Sequence, residues 1–395
     1  MLAVVLLARI LSKDALGSYF TWMAISSIVM VTINAGLDKS IFVAHEDRYV
    51  NELLQFAFVI GLVVCFTVFT VASLFNFFAP ANADNLIFGF VASVVIYSLA
   101  MAFNRTLQAV SIYRSKFDLL NKSKIFFAVS ISLSQILATL LGWKINGLVY
   151  SAVLWSIVSV LFTAKLLSIS IGDLANISIS SFKKTFVENY HFITFSFPSE
   201  LISSLSSQFP VIITATRFGS LSVAVYSLTL RSLAVPIGLL GNSVLTVFKD
   251  NAGKDFREKG ECKYVYLRTL KSLIVISFFP FLLLHFFGSN IFELVFGHDW
   301  IIAGQYAETL SILYFFVFIS SPLSYVLFFS KKGQFIDLTF QVVGIIISYL
   351  VFTYSPSMEN AIFFYTVFGS FYYVIYLFAS FYIASGSNFL APLGK

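Results

Sequence analysis

The chain has 395 residues, 58% hydrophobic, 18% aromatic and only 11% charged, with a mean hydropathy of +0.89. Soluble domains carry about 25% charged residues, so a water-facing globular surface is excluded and a polytopic membrane protein is implied. A formal net charge of +6 would point to nucleic acid in a soluble chain; here the basic residues follow a membrane pattern, and no nucleic-acid partner is expected. The two cysteines, Cys65 in an apolar run and Cys262 in a charged loop, predict no disulfide. The histidines His45, His191, His285 and His298 lie far apart without ligand spacing, so neither a metal nor a cofactor is expected.

The first segment, MLAVVLLARIL, lacks the basic start and small-residue cleavage site of a signal peptide. It is also shorter than the ~20 helical residues that cross a bilayer. It reads as the second half of a first transmembrane helix, truncated or continued upstream of this start. Further apolar stretches follow at about 15–37, 53–76, 86–109, 125–142, 147–171, 192–216, 222–247, 267–288, 305–330, 335–354 and 360–384. Runs of this length without strict alternation predict helices and not barrel strands. The expected fold is therefore an all-α integral membrane protein of about twelve transmembrane helices.

Polar residues inside these segments fall at helical spacing. Asn34 and Asp38 form an i,i+4 pair at the inner end of the second segment, and Asn104, Arg105 and Gln108 lie near the inner end of the fourth. The seventh places Ser196, Glu200, Ser203 and Ser207 on one face, continuing to Gln208. The eighth does the same with Ser227, Arg231, Ala234, Gly238 and Gly241. Pro198, Pro210, Pro236, Pro280 and Pro322 all fall within segments of the second half, where each removes a backbone hydrogen bond and favours a kink.

Loop charge sets the topology. Of the twenty-five Lys and Arg, nineteen fall in the even-numbered loops and the C-terminus, and four (Arg9, Lys13, Lys144 and Arg217) in the odd-numbered loops. This is the positive-inside signature, and it places both termini in the cytoplasm. The remaining two, Arg105 and Arg231, lie inside predicted spans. A repeat supports a two-fold design: ARILSKDALGSY leads into the second span and ATRFGSLSVAVY into the eighth. The chain reads as a six-helix bundle at 1–171, a cytoplasmic linker at 172–191 and a second bundle at 192–395.

A charge at the centre of a membrane helix costs roughly 2.5–3.5 kcal/mol on insertion scales. Serines and glycines on a helix face are also explained by close helix contacts, but an arginine needs an anion or a hydrated cavity. For Arg231 two readings stand: an ion pair with Glu200, which lies roughly 10 Å deeper along straight helices at ~1.5 Å per residue and so requires a kink, or a place in a transport cavity. Arg105 lies near enough to the inner surface to snorkel to headgroups.

The phrases LLARILSKDALGSYFTWMAI, FSFPSELISSLSSQFPVIITATRFGSLSVAVYSLTLRSLAVPIGLLGNSVLTVF and LVFGHDWIIAGQYAETLSILYFFVFISSPLSYVLFFSKKG resemble the polysaccharide or O-antigen flippases of the multidrug/oligosaccharidyl-lipid/polysaccharide exporter superfamily. The resemblance implies two pseudo-symmetric six-helix bundles around a central, largely cationic cavity. It implies a bacterial inner-membrane protein that moves an undecaprenyl-diphosphate-linked oligosaccharide, the repeat unit of O-antigen, capsule or exopolysaccharide, from the inner to the outer leaflet by alternating access. Membrane lipids and the polymerase and chain-length proteins of the same pathway are the implied partners. By the same resemblance Arg231 and Arg105 take the diphosphate, and Glu200 and Asp38 serve coupling or gating. From their places on the polar helix faces, Gln108 and Gln208 are further candidate substrate contacts and Asn34 a further candidate for coupling or gating. The resembled family has a full first helix, which this chain shortens. Two rival readings are a multidrug or cation antiporter of the same superfamily, which would favour acidic over basic cavity residues, and a membrane polymerase or glycosyltransferase of the same pathway. The latter class places its chemistry in a sizeable outer loop, and the longest here, 289–304, has Glu293, His298 and Asp299 as its obvious reactive groups. No phosphate-binding G-x-x-x-x-G-K-[ST] loop is present, so ATP hydrolysis by this chain is not expected.

Overall fold

A computed structural model of the chain describes residues 2–43, 47–78, 86–169 and 179–386. Among these residues the regular structure is helical throughout. Ten helices among the described residues are long and apolar enough to cross a membrane, and the protein is a multi-pass membrane protein. Two physical details connect this number to the expected segments. Helix α1 (Leu2–Ile10) has nine residues, too few to span alone. Helix α9 (Phe197–Pro236) runs for 40 residues and breaks at Gly219, where φ is 81° and ψ is 174°, so it merges most of the seventh predicted span with the first part of the eighth.

The chain divides into two compact units, 2–208 and 209–395. In the first, α2 (Lys13–Asn34) begins at Ser12, whose hydroxyl accepts from the Ala15 amide, and ends where Ala35 and Gly36 take left-handed conformations with φ of 50° and 73°. That paired reversal, which glycine adopts without steric cost, stops the helix and starts the one-turn α3 (Leu37–Ser40). Helices α4 (Asp47–Phe78), α5 (Leu86–Tyr113), α6 (Phe117–Leu140) and α7 (Lys144–Leu166) follow.

Helix α5 packs against α2, α4 and α7. Polar side chains bond it to two of these neighbours. The Trp22 indole donates to Ser93, Ser98 donates to the Ser26 carbonyl, Asn34 donates to the Ala102 carbonyl and Thr106, and Asn104 donates to Ser159. Such bonds hold helices together where lipid removes any hydrophobic drive between them. Gln135 of α6 likewise donates to the Tyr19 hydroxyl and the Leu148 carbonyl.

The expected linker at 172–191 is in part a helix, α8 (Ile179–His191); residues 172–178 lie outside the described residues. Its apolar side meets α4: Phe182 lies 4.9 Å from Phe56 between ring centroids, and Asn189 donates to the Tyr49 hydroxyl at 2.7 Å. The first unit also continues past the linker to Gln208, beyond the bundle boundary drawn from the sequence.

The second unit holds the rest of α9 with α10 (Asn242–Lys259), α11 (Lys263–Phe296), α12 (Ile301–Leu323), α13 (Lys331–Tyr354) and α14 (Met358–Ala384). Helices α11 and α12 are joined by the Glu308 carboxylate, which accepts from the Ser289 amide at 2.7 Å, and by His285 against the Glu308 carbonyl at 2.9 Å. Thr229 of α9 donates to the Ala303 carbonyl of α12. Several prolines coincide with changes of helix type, as a lost N–H and a ring clash require. A π-helical turn at Phe192–Ser196 precedes Pro198, another at Ile237–Gly241 follows Pro236, and a 3₁₀ stretch at Ser324–Phe329 follows Pro322.

Candidate functional site

The first unit contains a compact cluster of four charges. Arg105 lies on α5, with Asn104 and Thr106 at its sides bonded to α7 and α2. This fixes the face of α5 from which the guanidinium projects. Its Nε donates to Asp38 Oδ2 at 2.8 Å, and its Nη2 donates to Glu200 Oε1 at 2.8 Å. Lys39 Nζ reaches the same Glu200 Oε1 at 3.0 Å. Asp38 and Lys39 are placed by the turn of α3, and Glu200 by the first turn of α9.

Burial within the cluster is unequal. The carboxylate side chains of Asp38 and Glu200 are 10% and 14% exposed, whereas those of Arg105 and Lys39 are 36% and 43% exposed. Each carboxylate uses one oxygen: Asp38 Oδ1 and Glu200 Oε2 are buried with no hydrogen-bond partner among the described residues. On α3, burial pushes the Asp38 carboxyl above its ordinary range, against the opposing pull of Arg105, while Glu200 nearby raises it further. Arg105 and Lys39 thus offset only part of the penalty that burial and Glu200 place on the Asp38 carboxylate.

Of the residues singled out in the sequence, Asp38, Arg105 and Glu200 come together. Asn34 is buried one turn away, and its amide is committed to α5 while its Oδ1 has no partner among the described residues. Gln108 is half-buried on α5, and Gln208, the last residue of the first unit, donates to Ser207 at 3.3 Å. Arg231 is half-buried in the second unit, one turn from the buried Ser227, whose hydroxyl has no partner among the described residues. The sequence left Arg231 either as a partner of Glu200 or in a transport cavity; the structure gives Glu200 two cations of its own unit, Arg105 and Lys39. Sequence reasoning missed Lys39, which counted only as loop charge, although its place beside Asp38 in NAGLDKS was a usable signal.

A family model described as polysaccharide biosynthesis protein matches residues 6–304. The chain belongs to the polysaccharide biosynthesis protein family. The matched span includes all four members of the charge cluster and Arg231. No curated protein sequence matches the chain.

Among solved structures, this member of the polysaccharide biosynthesis family is similar to an inward-facing multidrug resistance MATE family transporter of the MOP superfamily. The TM-score is 0.69 at 15% identity, over 97% of this chain and 93% of the other. It is similar also to the lipid II flippase MurJ in an inward closed conformation, with a TM-score of 0.69 at 16% identity, over 97% and 86%. An outward-facing MATE transporter gives 0.60 at 15% identity, over 95% and 88%. At such identities the likeness is one of fold: the chain shares the helical fold of these transporter and flippase structures, as the resemblance implied.

Proposed function

We propose that this protein is a flippase that moves an undecaprenyl-diphosphate-linked oligosaccharide from the inner to the outer leaflet of a bacterial cytoplasmic membrane. The observation that carries this reading is the Arg105 cluster: a guanidinium inside a span, held by two acids yet more than a third exposed. An arginine kept this way is available to a doubly charged oxyanion such as a diphosphate, two oxygens of which the planar guanidinium binds through parallel hydrogen bonds. Membership of a polysaccharide biosynthesis family supports a sugar-bearing substrate, and likeness in fold to a lipid II flippase supports a lipid-linked one. An antiporter would suit a cavity of acids alone; the exposed members of this cluster are cations.

Arg231, one turn from the buried Ser227 whose hydroxyl has no partner among the described residues, is the basic position that this reading assigns to the diphosphate in the second unit. Both termini are cytoplasmic in this reading, which follows the distribution of loop charge. The substrate is the repeat unit of O-antigen or a related surface polysaccharide.

Export in cells tests the assignment. Arg105→Ala and Arg231→Ala should each reduce surface polysaccharide at least tenfold at unchanged protein level, and the lysine variants should keep part of it, since they retain charge and lose the fork. Normal export by both alanine variants would contradict the basic-site reading.

A further inference from the structure

We propose that Glu200 and Asp38 occupy, on Lys39 and Arg105, the place that the diphosphate takes during transport, so that an arriving diphosphate displaces them. This rests on the lipid-diphosphate reading above and adds Lys39 as a substrate contact. It also makes the two acids an internal competitor that sets the empty state.

Three features lead to this. Two cations from different elements converge on the single oxygen Glu200 Oε1, at 2.8 and 3.0 Å. Donors gathered on one oxygen at charge-assisted lengths are the arrangement a phosphoryl oxygen also accepts. The acids, moreover, are incompletely held. A buried carboxylate oxygen without a partner carries an uncompensated desolvation cost, and among the described residues neither Asp38 Oδ1 nor Glu200 Oε2 has one. The third feature is access, since the cations are the exposed members of the cluster and the acids the covered ones.

Charge then decides between addition and exchange. Asp38, Glu200, Arg105 and Lys39 sum to zero formal charge. A diphosphate diester, with about two negative charges, gains little from a neutral cluster in a low-dielectric site. It gains much from two cations whose carboxylates have turned away or been neutralised. Lys39 is suited to the exchange because its one-turn helix is fixed by the left-handed pair Ala35–Gly36 and by Ser40, which donates to the Leu37 carbonyl at 2.7 Å. The ammonium is thus anchored from below while its flexible stem stays free to move from one oxygen to another.

The test is binding of farnesyl diphosphate, a soluble prenyl diphosphate, to the full-length protein in lipid nanodiscs, measured by calorimetry. Glu200→Gln removes the competing charge and keeps the side-chain shape. It should tighten binding roughly tenfold, the order expected for freeing two partly exposed cations from one carboxylate. Lys39→Ala should weaken binding several-fold both in the natural sequence and on top of Glu200→Gln. Should Glu200→Gln lose its cooperative thermal transition, Asp38→Asn, on the other side of Arg105, is read in the same way. Unchanged or weaker binding by the folded Gln or Asn variant contradicts the exchange alone and leaves the lipid-diphosphate reading standing. No binding of the probe by the natural sequence and by Glu200→Gln, both folded, contradicts the two together.

Discussion

Glu200 and Arg105 are 95 positions apart, and Arg105 and Asp38 are 67 apart. Helical periodicity placed each on a polar face but carried no information about which faces meet. The sequence therefore marked Asp38, Arg105 and Glu200 and did not pair them. Lys39 went unmarked because a lysine beside a predicted span end is accounted for by positive-inside charge alone. Gly219 is a residue-scale feature of another kind, a break in α9 set by its backbone. Its φ of 81° with ψ of 174° lies in a region that is essentially glycine-only, where other residues pay ~1–3 kcal/mol, and a Cβ there would meet no atom within 4 Å. Gly219→Ala should therefore lower the thermal midpoint in detergent through backbone strain alone. Gly89→Ala, at an equally open position inside α5 without a positive φ, should not lower it, since alanine is the better helix former. Equal midpoints for the two variants would contradict the strain at Gly219.

At the scale of elements, apolar runs made nearly every span legible, because lipid contact imposes composition along the whole length of a helix. What the runs concealed was where helices end. Helix α11 starts at Lys263 and continues to Phe296, past both limits of its apolar window, since charged residues such as Lys263 and Glu293 remain good helix formers outside the hydrocarbon. The π and 3₁₀ turns beside Pro198, Pro236 and Pro322 were foreseen as kinks but not in kind. The α10–α11 connection offers a measurement of topology. Cys262 is 1% exposed, and burial, with Asp255 and Glu261 nearby, pushes its thiol up to about 12. A thiol raised so far above its ordinary ~8.5 holds almost no reactive thiolate at pH 7–8. Hence Cys262 should resist a charged maleimide until the protein is denatured. Lys254→Cys, on the exposed side of α10, should label readily in a Cys65→Ser background, in inverted membrane vesicles and not in intact cells. Labelling of Lys254→Cys from outside intact cells would overturn the proposed orientation, and rapid labelling of native Cys262 would contradict its burial.

For the whole molecule, composition alone established a polytopic membrane protein, and the family and fold agree with the likeness read from loop phrases. The division into units was less legible. Residues 197–208 cluster with the first unit, consistent with the hold of Arg105 and Lys39 on Glu200, a long-range attachment that no count of spans reveals. The central claim concerns transport, and the most direct measurement is made in reconstituted vesicles loaded with an undecaprenyl-diphosphate-linked oligosaccharide. Flipping is read as the fraction of glycan that becomes cleavable by an added glycosidase. The natural sequence should raise that fraction with time well above protein-free vesicles, and Arg105→Ala should return it to the protein-free level. Equal cleavage with and without the protein, in vesicles where it is folded and inserted, would contradict the account.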